Sequence, residues 1–138
     1  MSKENQRDEA LRWLRQARLD LETAQILLEN KRFAAACFFT HQSAEKALKA
    51  VWYYLDEEPW GHSVEKMIEG LTSTEFKKRL LPLREDAIFL DRFYIPTRYP
   101  NGLPWPLIPE EAYFESDAQQ SIDKSQEIVR EVERLIEP

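Results

Sequence analysis

The apolar positions of this chain fall into long stripes of helical period. Between Phe33 and Leu55, Phe33, Cys37, Thr40, Ala44, Leu48, Val51 and Leu55 recur at steps of four and three. That spacing lines them along one side of a helix. No Gly or Pro interrupts the stretch, and its six alanines favour the helical backbone. Phe38 and Phe39 add apolar surface beside the stripe, and a helix apolar over so much of its circumference belongs at the centre of a bundle. Upstream, Leu14, Ala17, Leu21, Ala24 and Leu28 form a second seam, with Leu11 and Trp13 widening it. They predict a helix from about Glu4 to Glu29. The link Asn30-Lys31-Arg32 is so short that the two helices must run antiparallel.

The second half continues the pattern in shorter pieces. Pro59 and Gly61 mark a loop over residues 56–62, after which Ser63 caps a short helix from Val64 to Leu71. Lys66 stands where a capping box would have an acid, so that box is incomplete. Thr72-Ser73-Thr74 recaps the chain for a helix over Phe76 to Phe93, which Pro82 should kink or split after Leu80. Ala118, Ile122, Ser125, Val129, Val132 and Ile136 give a last seam, on a helix from Tyr113 to Ile136. Pro109-Glu110-Glu111 suits a helix start, with Pro setting φ and acids facing the dipole. Residues 1–138 are therefore expected to form a single all-α domain. Its architecture is an antiparallel up-and-down four-helix bundle with one additional short helix. From Ile95 to Pro109 lie five of the eight prolines, a density that excludes helix and predicts an ordered Pro-rich loop. Tyr99 and Trp105 on that loop are expected to pack against the bundle.

Composition narrows the class of molecule. With 43% hydrophobic and 32% charged residues, the 138-residue chain can bury a real core while staying soluble. Three glycines are too few for a fold rich in strands and tight turns. No apolar run approaches the roughly 18 residues of a membrane span, and the polar N-terminus lacks a secretory core, so a cytoplasmic protein without a membrane role is expected. The lone Cys37 lies on the apolar stripe and reads as a buried structural thiol. A net charge of −6 disfavours broad binding to phosphate backbones, which needs clustered Lys and Arg, but leaves room for a local basic pocket. Arg12, Arg15 and Arg18 share one side of the first helix and read as a solvated face.

Two sets of residues carry candidate chemistry. In the middle of the second helix, His41 and Glu45, Gln42 and Lys46, and Glu45 and Lys49 are each four apart and meet along the helix. Such pairs can order a pocket, or simply stabilise a helix. The second set is Tyr94-Ile95-Pro96-Thr97-Arg98-Tyr99-Pro100, an Arg between tyrosines held by prolines. Its guanidinium suits bidentate phosphate or carboxylate binding, and its tyrosines can stack on bases; equally, Arg98 can anchor the loop to an acid of the bundle. His41, Gln42, Glu45, Lys46, Lys49, Tyr94, Arg98 and Tyr99 are the candidate ligand-binding residues. Two histidines and one cysteine, with no HExxH or paired Glu-x-x-His motif, argue against metal, and no cofactor is implied. No glycine-rich phosphate loop and no nucleophile signature occurs.

With both sets in view, the chain resembles the HEPN family (higher eukaryotes and prokaryotes nucleotide-binding domain). The match lies in Gln42-Ser43-Ala44-Glu45-Lys46-Ala47-Leu48-Lys49-Ala50, in Gly61-His62-Ser63, and in Tyr94 with Arg98-Tyr99-Pro100. An opening Trp-Leu-x-x-Ala-x-x-Asp-Leu-x-x-Ala, here Trp13 to Ala24, is similar to the family's first helix. The resemblance implies an up-and-down helical bundle that forms homodimers. Members are often encoded beside a minimal nucleotidyltransferase; some are RNase toxins restrained by that partner, and others are proposed to bind nucleotides. The RNase members carry Arg, four to six residues, then His. Here neither His41 nor His62 has an Arg five to seven positions upstream, and no histidine follows Arg98. The resemblance therefore implies a non-catalytic domain binding a nucleotide, an RNA or a nucleotidyltransferase in a toxin–antitoxin-like pair. Two other readings stand beside it: a divergent metal-independent RNase using His41 or His62 with Arg98, and a structural adaptor whose polar set locks its own loop.

Overall fold

The computed structural model describes residues 2–137. Its helices are α1 (Lys3–Glu29), α2 (Phe33–Tyr54), α3 (Val64–Glu69), α4 (Thr74–Leu80), α5 (Arg84–Asp91), α6 (Pro109–Ala112) and α7 (Glu115–Ile136), and no strand occurs among the described residues. Ser2, Ser63 and Ser73 each cap a helix by accepting a backbone N–H through the hydroxyl. The three long helices form the frame: α1 packs along α2, and α7 lies against both. The helix expected over Phe76 to Phe93 is divided at Pro82, where Leu81–Leu83 form a single 3-10 turn between α4 and α5. Pro has no N–H to donate and its ring crowds the preceding turn, so the axis breaks there. The last helix starts two residues later than expected. Pro109 opens only the one-turn α6, then Tyr113 and Phe114 are extended and Phe114 serves as the N-cap of α7.

The α1–α2 and α2–α3 connections share one device. Lys31 and Asp56 sit in the left-handed region, at φ 61° and 57°. After α1, Lys31 N–H donates to the Leu28 carbonyl and Arg32 N–H to Leu27; after α2, Asp56 donates to Tyr53 and Glu57 to Trp52. Both ends are Schellman motifs. They are built without glycine, the residue that reaches this conformation at least steric cost.

Apolar side chains separate into two clusters along the long helices. One contains Leu14, Leu48, Val51, Ile68, Leu80, Leu90, Ile128 and Ile136. The other contains Leu28, Cys37, Phe93, Ala118 and Ile122, with Phe33, Phe39 and Tyr113 against it. Between them along α2 and α7 lies a buried polar layer of Thr40, His41, Ser43, Ser121 and Ser125. Its hydroxyls are satisfied by backbone carbonyls: Ser43 Oγ donates across to Ala17, 2.7 Å, and Ser125 Oγ to Thr40, 2.7 Å, while Thr40 and Ser121 donate within their own helices. Cys37 is fully buried, and burial pushes its thiol up to about 11, as an unreactive structural cysteine requires.

The Pro-rich segment departs from its expected packing. It is a series of turns with a 3-10 turn at Pro100–Gly102, and its aromatics face outward: Tyr99 is 50% exposed and Trp105 is 93% exposed.

Because Lys31 adopts a glycine conformation, Lys31→Gly is expected to raise stability by about 0.5–1 kcal/mol. Urea denaturation should show a higher midpoint at unchanged slope.

Candidate functional site on the second helix

The site grows from one carboxylate at the end of α5. Asp91 Oδ1 accepts from the Val64 N–H at 2.8 Å and lies 3.1 Å from His41 Nε2. Its Oδ2 accepts from Ser63 Oγ at 2.8 Å and the Glu65 N–H at 3.1 Å. Asp91 thus accepts from two free N–H groups at the start of α3 and ties α2, α3 and α5 together. Burial acts to raise its pKa, but the His41 hydrogen bond, the two backbone N–H groups and the Ser63 hydroxyl outweigh it. The carboxyl is held below its ordinary value of 3.8. A carboxylate with four donors must itself be ionised, so His41 Nε2 carries the proton it shares.

His41 is fully enclosed. Its Nδ1 lies 3.4 Å from Gln42 Nε2 and 4.0 Å from Glu45 Oε1. Glu45 is itself buried, and its Oε2 accepts from Lys49 Nζ at 2.9 Å and faces His62 Nδ1 at 3.4 Å. Glu45 Oε1 has no hydrogen-bond partner. One turn away, Lys46 pairs with the buried Asp20, which also accepts from Gln16 Nε2 at 2.9 Å. Both lysines of the set are therefore neutralised by acids of the bundle, and Lys49 also sits 5.8 Å above the Trp13 ring.

Tyr94 connects the helix to the loop. The His62 ring stacks on it at 4.8 Å and 18°, and His41 lies 5.2 Å away. The Arg98 guanidinium lies 4.7 Å from the same ring, 4.6 Å from Phe38 and 5.2 Å from Tyr99, while its Nε donates to the Tyr94 carbonyl at 3.0 Å. Among the described residues Arg98 has no acid partner, so it does not anchor the loop to an acid of the bundle. An open cavity of about 270 Å³ adjoins it, with Arg32, Ala34 and Thr97 in its walls and Arg32 ion-paired to Glu110.

Seven of the eight candidate residues thus make one continuous band, while Lys46 turns away to Asp20 on α1. Asp91, absent from the sequence prediction, is the residue that organises it. An acid closing the Phe89-Leu90 run gave a local hint, but only the fold reveals that the α3 N-terminus stands opposite. Among the described residues no group of three or more His, Cys, Asp or Glu side chains could hold a metal ion, and no helix is long and apolar enough to cross a membrane.

Residues 10–135, from early in α1 to the end of α7, match the HEPN domain model. The chain belongs to the HEPN family. Solved HEPN-like structures share its whole fold. TT1696 from Thermus thermophilus is 35% identical, with a TM-score of 0.83 over 91% of this chain and 96% of that one. ST0689, an archaeal HEPN homologue, is 31% identical at a TM-score of 0.74, over 92% of this chain and 97% of its own. A HEPN domain protein of Thermotoga maritima is 27% identical at 0.68, over 91% and 98%. Human sacsin is 28% identical over 136 residues, and this HEPN chain spans about 3% of its length.

Removing the central carboxylate should be costly, because His41 and two buried backbone donors lose their acceptor. Asp91→Ala is expected to destabilise the fold by about 3 kcal/mol and lower the melting temperature by on the order of 10 °C. Since the folded-state pKa is depressed, the carboxylate's ionic contribution is complete above the ordinary aspartate value. It is lost as pH falls through the lower, folded value. The gap between wild type and Asp91→Ala in urea melts should therefore hold steady from neutral pH down to the ordinary aspartate value and narrow only below it.

Proposed function

We propose that residues 1–138 act as one cytoplasmic HEPN domain that binds rather than catalyses, as a homodimer. Its ligand is a nucleotide or RNA segment, or else a minimal nucleotidyltransferase in a toxin–antitoxin-like pair. The observation that carries this reading is Arg98: an exposed guanidinium, oriented over three aromatic rings, with no acid partner among the described residues. Arg is suited to bidentate recognition of phosphate or carboxylate, and its rings fix the orientation in advance, so less conformational entropy is lost on binding. Tyr99 beside it can stack on a base, worth roughly 1–3 kcal/mol. Lys46 and Lys49 are already paired, which leaves Arg98 as the cation of this band available to an acidic group.

Binding is favoured over catalysis because His41 is enclosed between α2, Asp91 and Glu45, where no substrate phosphate reaches it. The family's Arg-then-His spacing is also missing. A divergent RNase keeps one supporting observation: His62 is half-exposed and its Nδ1 faces the buried Glu45 carboxylate, the arrangement of a general base with an orienting partner. Exposed Ile95, Trp105, Ile108 and Phe114 support the homodimer, since large apolar groups left in solvent favour association.

Calorimetric titration with ATP, GTP and short single-stranded RNAs should give binding tighter than about 1 mM for at least one of them. Arg98→Ala should weaken it at least about tenfold while shifting the melting temperature little. Absence of binding in all arms ends the nucleotide reading and leaves the protein partner, tested by co-purification with the nucleotidyltransferase. The same RNAs should be recovered intact; cleavage abolished by His62→Ala would establish the RNase instead. Light scattering at micromolar concentration should return the mass of a dimer, and a monomer mass would remove that element of the proposal.

A further inference from the structure

We infer that a second cavity, between the C-terminal end of α2 and α3, binds a flat aromatic or heteroaromatic ring carrying a single carboxylate or phosphate. This inference is independent of the Arg98 reading. The cavity has a volume of about 170 Å³, and its lining includes Trp52, Trp60, His62, Lys66, Met67 and Gly70. Ligand pockets for drug-sized molecules run to about 300–1,000 Å³, so this one fits a single ring system and leaves substituents at the mouth.

The walls select a flat ring. Trp52 is nearly buried and fixed, its indole N–H donating to the Met67 carbonyl at 3.0 Å. Trp60, by contrast, is 74% exposed, a large aromatic surface left uncovered beside a preformed wall. Gly70 keeps that wall open: a Cβ there would lie 3.2 Å from the Trp52 ring. Met67 supplies a thioether, which packs well against aromatic edges.

The charge around the cavity selects an anion. No carboxylate lines it, and its two titratable groups are Lys66 and His62. Lys66 is exposed and has no acid partner among the described residues. His62 is oriented from behind, with Nδ1 on Glu45 and its face on Tyr94, so Nε2 is the nitrogen left for a ligand at the mouth. A quaternary ammonium, the usual guest of paired tryptophans, would meet these two basic groups with no carboxylate on the lining itself. A ring against the indoles with its acidic substituent at Lys66 and His62 gives each of these four side chains a partner.

The test uses the full chain in isothermal titration calorimetry. Probes are 4-hydroxybenzoate and AMP, their neutral counterparts 4-hydroxybenzyl alcohol and adenosine, and tetramethylammonium. At least one anion should saturate with a Kd below about 1 mM, its neutral counterpart binding at least about tenfold more weakly. The two anionic arms tell carboxylate from phosphate. Trp60→Ala and Lys66→Glu, both at exposed positions, should each weaken that anion at least about tenfold, with melting temperatures checked alongside. Arg98→Ala should leave it unchanged, which separates this cavity from the nucleotide reading above. No saturation by either anion overturns the inference. So does equal binding of a neutral counterpart, preference for tetramethylammonium, or affinity that follows Arg98 and ignores Trp60.

Discussion

The second half of this fold depends on the Asp91 carboxylate. α3 is six residues long, too short to hold itself by propensity, and α5 is scarcely longer. What fixes them against the long helices is the burial of Val64, Ile68 and Leu90 in the core together with a single ionised group that accepts from two backbone N–H groups, a serine hydroxyl and a buried imidazole. Hydrogen bonds to an ionised acceptor are the stronger kind, and inside the bundle they are little screened. His41 is thereby placed in a structural role, its ring filling the polar layer that separates the two apolar clusters. That layer has a cost in desolvation, which its hydroxyls offset by donating to backbone carbonyls, two within their own helix and two across to a neighbour.

The long helices were legible because their stripes are long. Residues on the α7 seam from Ala118 to Ile136 are all buried, and the Pro82 break falls where proline chemistry requires it. The first turn of α7 was not legible, since Pro109 reads as a helix start whether one turn or six follow. The aromatics of the Pro-rich loop were misplaced for a related reason. Large apolar residues usually mark packing, but sequence does not distinguish a side chain packed inward from one left outward for a partner.

The candidate site was half legible. Helical spacing brought His41, Glu45 and Lys49 together correctly, since neighbours four apart need no tertiary knowledge. It could not show that Lys46 belongs to Asp20, that Glu45 would be shared by Lys49 and His62, or that Asp91 would supply the centre. Lys46–Asp20, Glu45–His62 and the contacts of Asp91 join residues far apart in the chain, and they are fixed only by how the helices dock.

Tyr94 was introduced as the link from helix to loop, and its position has a wider meaning. His62, at the rim of the indole-lined cavity, and Arg98, at the open surface, both rest on that one ring. One phenol ring therefore carries both contacts, so the imidazole and the guanidinium lose a supporting face together if that ring is removed.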